Sequence, residues 1–180
     1  MTSQAGVSRG FLQIFEETRE RIFGRLEGLT DAEYLWEPVP SCLTVRAAGD
    51  GTFRADPRPR GVSPAPFSTI AWRMWHIGAD CLRHYGEFFG DRRMSDDEWQ
   101  LWPGTAAGSI EMMARDWAAF RAHVESLGDD RLIAPMGPVA GPIADESYLM
   151  LVIHALDEAA HHGAEIAVLR DLYRHGLAPA

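Results

Sequence analysis

Proline and glycine gather into two stretches of this chain, and most of the residues between them repeat at the period of a helix. Pro38 to Pro66 holds six of the eleven prolines together with Gly49, Gly51 and Gly61, so no long regular element fits there and the connection reads as structureless. Gly128 to Asp145 adds Pro135, Pro138 and Pro142 with three glycines, and reads as loop with room for a short extended pair. Elsewhere apolar residues recur at three- and four-residue steps. A first helix spans about Arg9 to Leu29, its stripe formed by Phe11, Ile14, Phe15, Ile22 and Leu26. Thr30 with Glu33 behind it reads as a capping box for a short turn. A second helix opens at Ser68 or Thr69 and ends at Gly90, with Ile70, Met74, Ile77, Cys81, Tyr85 and Phe88 on its apolar arc. Asp91 to Thr105 is a polar and aromatic linker. A third helix covers about Ser109 to Leu127 and a fourth about Glu146 to Arg174, stopped by Gly176. No segment alternates as a strand does. Four helices of roughly 20–29 residues predict an all-α fold: an antiparallel four-helix bundle, one domain over residues 1–180, with a long connection between helices 1 and 2.

The formal net charge is −9, and all 17 basic residues are arginine. A chain without lysine has no Schiff-base nucleophile and no phosphate-loop lysine. An acidic chain with no basic run is a poor partner for nucleic acid, whose binding rests on phosphate neutralisation. No apolar run approaches the ~18 residues of a membrane span. Met1 to Gly10 has neither a basic start nor a hydrophobic stretch, so a cytoplasmic location is expected. Cys42 and Cys81 lie far apart and form no CxxC pair, which reads them as buried or incidental thiols. Ser41 and Ser63 lie in loops without the elbow that serine hydrolases require.

Three of the seven histidines sit in one stretch of the fourth helix. His154, Glu158 and His162 are four residues apart and form a ladder on one side. At that spacing Glu158 and His162 can hold one divalent ion together. His162 falls inside the apolar arc and Glu158 at its margin, whereas His154 and His161 point toward the polar side. The same cluster also fits a solvated helix face. His76, on the second helix, shares its side with Arg73, Asp80 and Arg83, opposite the apolar arc. That placement reads as an exposed histidine, with Asp80 one turn on to hold its second nitrogen. A centre uniting His76 with His162 requires a polar cleft between the second and fourth helices.

Taken in order, Leu29-Thr-Asp-Ala-Glu-Tyr34-Leu-Trp36-Glu-Pro38, Trp72-x-x-Trp75-His76-Ile-x-x-Asp80 and His161-His162-Gly-Ala-Glu165-Ile resemble the DinB-like (YfiT-like) superfamily over nearly the whole chain. The resemblance implies a divalent metal, often zinc or nickel, held by one histidine on the second helix and a His-x-x-x-His pair on the last. Carried over, the ligands match His76, Glu158 and His162, with Glu158 standing where the family commonly has histidine. His154 is a possible additional ligand and Asp80 an outer partner. Characterised members include a mycothiol-dependent maleylpyruvate isomerase and bacillithiol S-transferases. The resemblance therefore implies activation of a low-molecular-weight thiol such as mycothiol against a small electrophilic substrate. Arg73 or Arg83 would hold an anionic group, the Pro38–Pro66 segment would cover the mouth, and a homodimer is expected. Two other readings remain open: a metal-dependent hydrolase on the same site, or a non-enzymatic binding module in which Glu158 marks a decayed site.

Overall fold

The computed structural model describes residues 6–59, 61–90 and 93–177. Helix α1 is Val7–Leu26. The Asp129 carboxylate covers its N-terminus, accepting from the Val7 and Ser8 N–H groups at 3.1 and 2.9 Å. A single turn, α2, follows at Asp31–Tyr34, where the Thr30 hydroxyl accepts from the Glu33 N–H at 3.2 Å. Only that half of the expected capping box forms. The Glu33 carboxylate turns into the core instead and meets Arg170.

The connection from α2 is not structureless, which corrects the sequence reading. Strands β1, Val45–Ala47, and β2, Phe53–Ala55, pair antiparallel with Val45 opposite Ala55 and Ala47 opposite Phe53. Strands of three residues are too short for alternation to register in a sequence. At the hairpin tip Asp50 Oδ1 accepts from the Thr52 N–H and hydroxyl at 2.9 and 2.6 Å, and Gly51 takes φ +83°. The hairpin is fastened to the bundle. Phe53 O accepts from the Trp102 N–H at 3.2 Å, and Asp56 O from Trp72 Nε1 at 2.9 Å.

The second rod departs from a uniform helix. It consists of α3, Ile70–Trp75, a π-helical segment, His76–Arg83, then α4, His84–Gly86, and a 3₁₀ turn, Glu87–Phe89. Within the predicted linker a short helix α5, Asp96–Gln100, forms because Ser95 and Glu98 complete a capping box. The third rod, α6, spans Ala106–Leu132, with Thr105 as its cap. It continues beyond the predicted end through a kink at Gly128, whose φ of +68° suits glycine alone. A 3₁₀ turn at Pro138–Ile143 and one bridge, Pro135 to Ser147, replace the expected extended pair. The fourth rod, α7, is Tyr148–Leu172, capped by Ser147 and followed by a π turn at Tyr173–Leu177.

These rods build an all-α four-helix bundle. Both α1 and the second rod pack mainly against α6 and α7, so they stand at opposite corners. Consecutive helices on a diagonal cannot be joined by a tight turn, which accounts for the length of the 38–66 connection. Phe15 stacks on Trp117 at 4.3 Å between centroids in the core, beside Met113 and Phe120. Gly163 lets α7 approach α1, since a Cβ there would lie 2.6 Å from Ile22. The largest polar feature of the interior is Arg170, only 1% exposed. Its guanidinium grips Glu33 with bonds of 2.7 and 3.1 Å and donates to the Glu27 and Arg25 carbonyls. Both partners are out of water, so removing one strands the charge of the other. Glu33→Ala is therefore expected to lower unfolding stability by about 3–5 kcal/mol, read as a reduced urea midpoint. A loss below about 1 kcal/mol, the range of an exposed pair, would contradict this account.

Candidate metal centre

The histidine that the helical wheel places outside lies inside. His76 is 7% exposed and Arg73 5%, because the side of the second rod opposite the main apolar arc faces α7 rather than solvent. That face is the polar cleft which a shared centre requires. From α7, His162 enters it at 8% exposure, while its neighbour His161 points outward. Glu158, one turn before His162, completes the approach.

One carboxylate oxygen organises the group. Glu158 Oε2 lies 3.1 Å from His76 Nε2 and 3.2 Å from His162 Nε2, and the two imidazoles meet edge-on at 4.7 Å between centroids. The opposite nitrogen of each ring is committed. His76 Nδ1 donates to Asp80 Oδ2 at 2.6 Å, and His162 Nδ1 donates to Glu165 Oε2 at 2.6 Å. Carboxylates in this position fix the tautomer and aim Nε2 inward, as they do for metal-ligating histidines. Glu165 is itself held by Arg73 Nε at 2.8 Å, while the Trp72 ring stacks on His76 at 5.2 Å.

The electrostatics give this arrangement a chemical direction. Burial alone would lower the pKa of His76, but hydrogen bonds and charge from Asp80 and Glu158 outweigh it and raise it. Burial pushes Glu158 up, yet His76, His162 and His154 bring it below its ordinary value. His162 is lowered, by burial first and by the charge of His76, against the pull of Glu165. A neutral His162 that donates from Nδ1 must present a lone pair at Nε2. That lone pair faces a carboxylate oxygen 3.2 Å away. A cation between two acceptors so placed, whether a proton or a metal ion, relieves their repulsion. A tetrahedral ion with bonds of about 2.0–2.1 Å has ligand edges of roughly 3.3 Å, close to the spacing present. The donor set of two imidazoles and a carboxylate fits a divalent ion such as zinc.

Other sequence candidates fall at measurable distances from this point. His154 Nε2 lies 3.2 Å from the other Glu158 oxygen, Oε1, and its Nδ1 meets the Tyr85 hydroxyl at 2.9 Å. It stands as an outer partner of Glu158, half exposed on the solvent side. The two arginines expected to hold an anion are already engaged. Arg73 is spent on Glu165 and the Ser68 carbonyl. Arg83 forms a bidentate pair with Asp116 on α6, at 2.9 and 2.7 Å, and lines a separate cavity of about 440 Å³ with Glu87, Phe120 and His123. Seven residues apart, His76 and Arg83 would share a side of an α-helix. The wider π turn between them removes that alignment and sends Arg83 to α6.

Sequence reasoning missed two residues. Arg58, exposed in the connection, holds its guanidinium 5.8 Å from the centre of the Trp72 ring, at the rim of the site. No motif marks it. Cys81 is buried with His76 and Glu158, and the ligating atoms of the three lie within 4.8 Å of one another. A second grouping, His161, His162 and Glu165, sits on the outer face of α7, where Glu165 already serves Arg73.

Two outcomes test this geometry. Proton and metal compete for His76 Nε2, and a raised pKa makes the proton the stronger competitor. Zinc affinity measured by calorimetry is expected to be full above that raised value and to fall as pH drops through it; an affinity flat from mildly alkaline to mildly acidic pH would oppose the assignment. Glu165→Gln weakens the hold on His162 Nδ1 and is expected to reduce metal affinity by roughly 10–100-fold.

The comparisons agree with this picture at the level of fold and family. A crystal structure of a conserved protein from Enterococcus faecalis superposes with a TM-score of 0.58 at 15% identity, covering 93% of this chain and 96% of that one. At that identity the likeness is one of fold. No curated protein matches the sequence. The family model of the DinB superfamily matches residues 14–166, which contain all four rods in whole or in large part together with His76, Glu158 and His162. The chain belongs to the DinB superfamily.

Proposed function

We propose that this protein is a divalent-metal-dependent enzyme that activates a low-molecular-weight thiol at the centre formed by His76, Glu158 and His162. The observation that carries the reading is the shared Glu158 oxygen between two Nε2 atoms, each ring fixed from behind by its own carboxylate. Bound there, zinc or nickel supplies a Lewis-acidic site that converts a thiol, mostly protonated at neutral pH, into a thiolate. The chain's own residues do the rest. Asp80 and Glu165 hold both imidazoles in the ligating tautomer, and Arg73 anchors Glu165 from the interior. Trp72 closes one wall by stacking on His76. Arg58 takes over the anion-holding role expected of Arg73 and Arg83, because it is exposed where they are paired. The 38–66 connection carries it, so that segment both covers the mouth and contributes to recognition. A small electrophile with an anionic group suits such a rim.

A hydrolase on the same centre is the second reading. It is favoured by His154, which lies 2.9 Å from the Tyr85 hydroxyl and 3.2 Å from Glu158 on the solvent side, within reach of a bound water. The two readings differ in their requirement for thiol. Untagged protein is expected to hold near-stoichiometric zinc or nickel by elemental mass spectrometry and to lose it in His162→Ala. Turnover of electrophilic substrates is expected only with added thiol. Metal content unchanged in His162→Ala, or absent even after reconstitution, would remove the centre altogether. Turnover without any thiol would favour the hydrolase.

A further inference from the structure

The π-helical segment places a sulfur beside the centre, and its position follows from the backbone rather than from chance packing. In an α-helix, residues five apart point in well-separated directions, whereas i→i+5 hydrogen bonding stacks them one turn above the other. The segment His76–Arg83 is wound in that way, its end marked by the His84 N–H bonding to the Ala79 carbonyl five residues back. His76 and Cys81 are five apart. The thiol Sγ therefore comes to 3.9 Å from His76 Nε2, the ring nitrogen aimed at the centre, and not toward Nδ1, which Asp80 occupies. Cys81 is 2% exposed and its Sγ shares a common small volume with His76 Nε2 and a Glu158 oxygen.

We propose that Cys81 is a fourth protein ligand of the metal, approaching from the core side of the bundle. The inference rests on the metal centre read above and deepens it. A tetrahedral ion with a metal–sulfur bond of about 2.3 Å and a metal–nitrogen bond of about 2.0–2.1 Å sets sulfur and nitrogen roughly 3.6 Å apart, near the 3.9 Å of Cys81 Sγ and His76 Nε2. Cys81, His76 and Glu158 gather within 4.8 Å, and His162 reaches this group through its 3.2 Å contact with Glu158 Oε2. On ligation the S–H bond breaks, the metal–sulfur bond forms and the proton leaves to solvent. The ion itself must drive the step, since burial and the Asp80 and Glu158 carboxylates push the Cys81 thiol up. Among the direct ligands, two neutral imidazoles and one carboxylate leave a divalent ion one positive charge, which a thiolate cancels. Cys81 is buried while His154 beside Glu158 is half exposed, so the side of Glu158 and His154 is the approach left open to solvent.

The test uses the full chain, stripped of metal with chelator and titrated with cobalt(II). Wild-type protein is expected to show visible ligand-field bands together with a near-ultraviolet sulfur-to-cobalt charge-transfer band. Cys81→Ala is expected to lose the charge-transfer band, keep ligand-field absorption and bind cobalt at least about tenfold more weakly. Cys42→Ala, which removes the other buried thiol, is expected to keep the band. Cobalt binding by wild-type protein without a charge-transfer band overturns the proposal and leaves the three-ligand centre standing. This outcome needs no variant, so it holds even where Cys81→Ala fails to fold. A band that survives in Cys81→Ala overturns it as well. No cobalt binding by wild-type protein overturns both the proposal and the centre on which it rests.

Discussion

A shared carboxylate oxygen between two histidines is the contact around which the molecule's polar interior is arranged. Glu158 Oε2 can face both Nε2 atoms only if the second rod and α7 present their polar sides to each other. That arrangement turns a helix face carrying Arg73, His76 and Asp80 away from water. Each group on it then needs a partner, because uncompensated polar atoms in a core are costly. The partners form a chain: Arg73 to Glu165, Glu165 to His162, His162 to Glu158, Glu158 to His76, and His76 to Asp80. Its members come from two rods, so the chain also sets the register between them.

The four rods were legible because each carries a broad apolar stripe bounded by glycine, proline or a capping residue. Thr105 and Ser147 cap where side-chain oxygens preceding a periodic run should. Family membership was legible for a related reason. Three short motifs fall in the right order, and the family model spans nearly the same residues. The α7 half of the centre was visible in the four-residue spacing of His154, Glu158 and His162. His76 was misread because a helical wheel assumes a constant rotation per residue and equates a polar side with a wet one. Neither assumption holds between His76 and Arg83, where the helix widens and its polar side faces another polar side. The same widening hid Cys81, which the regular wheel places on the apolar arc. Arg58 was beyond reach for a different reason: it sits on an irregular segment whose position is set by contacts far away in sequence, such as Trp72 Nε1 to Asp56 O.

Glu158 sets the balance of charge where the second rod meets α7, because one of its oxygens faces both imidazoles. A histidine at that position would be a neutral ligand and would leave the full charge of a divalent ion to be compensated from a distance. The carboxylate instead meets His76 and His162 directly, and its lowered pKa reflects that it stays ionised among them despite its partial burial. An anionic ligand raises the demand for a bound cation when His162 is neutral, because the imidazole lone pair and the carboxylate oxygen then face one another. Asp80 and Glu165 bracket both rings at 2.6 Å, and a buried arginine fixes Glu165 in turn. Orientation of the Nε2 atoms is thus maintained from behind by carboxylates that also satisfy the buried rings, and an ion bound between them would meet two nitrogens already aimed at it.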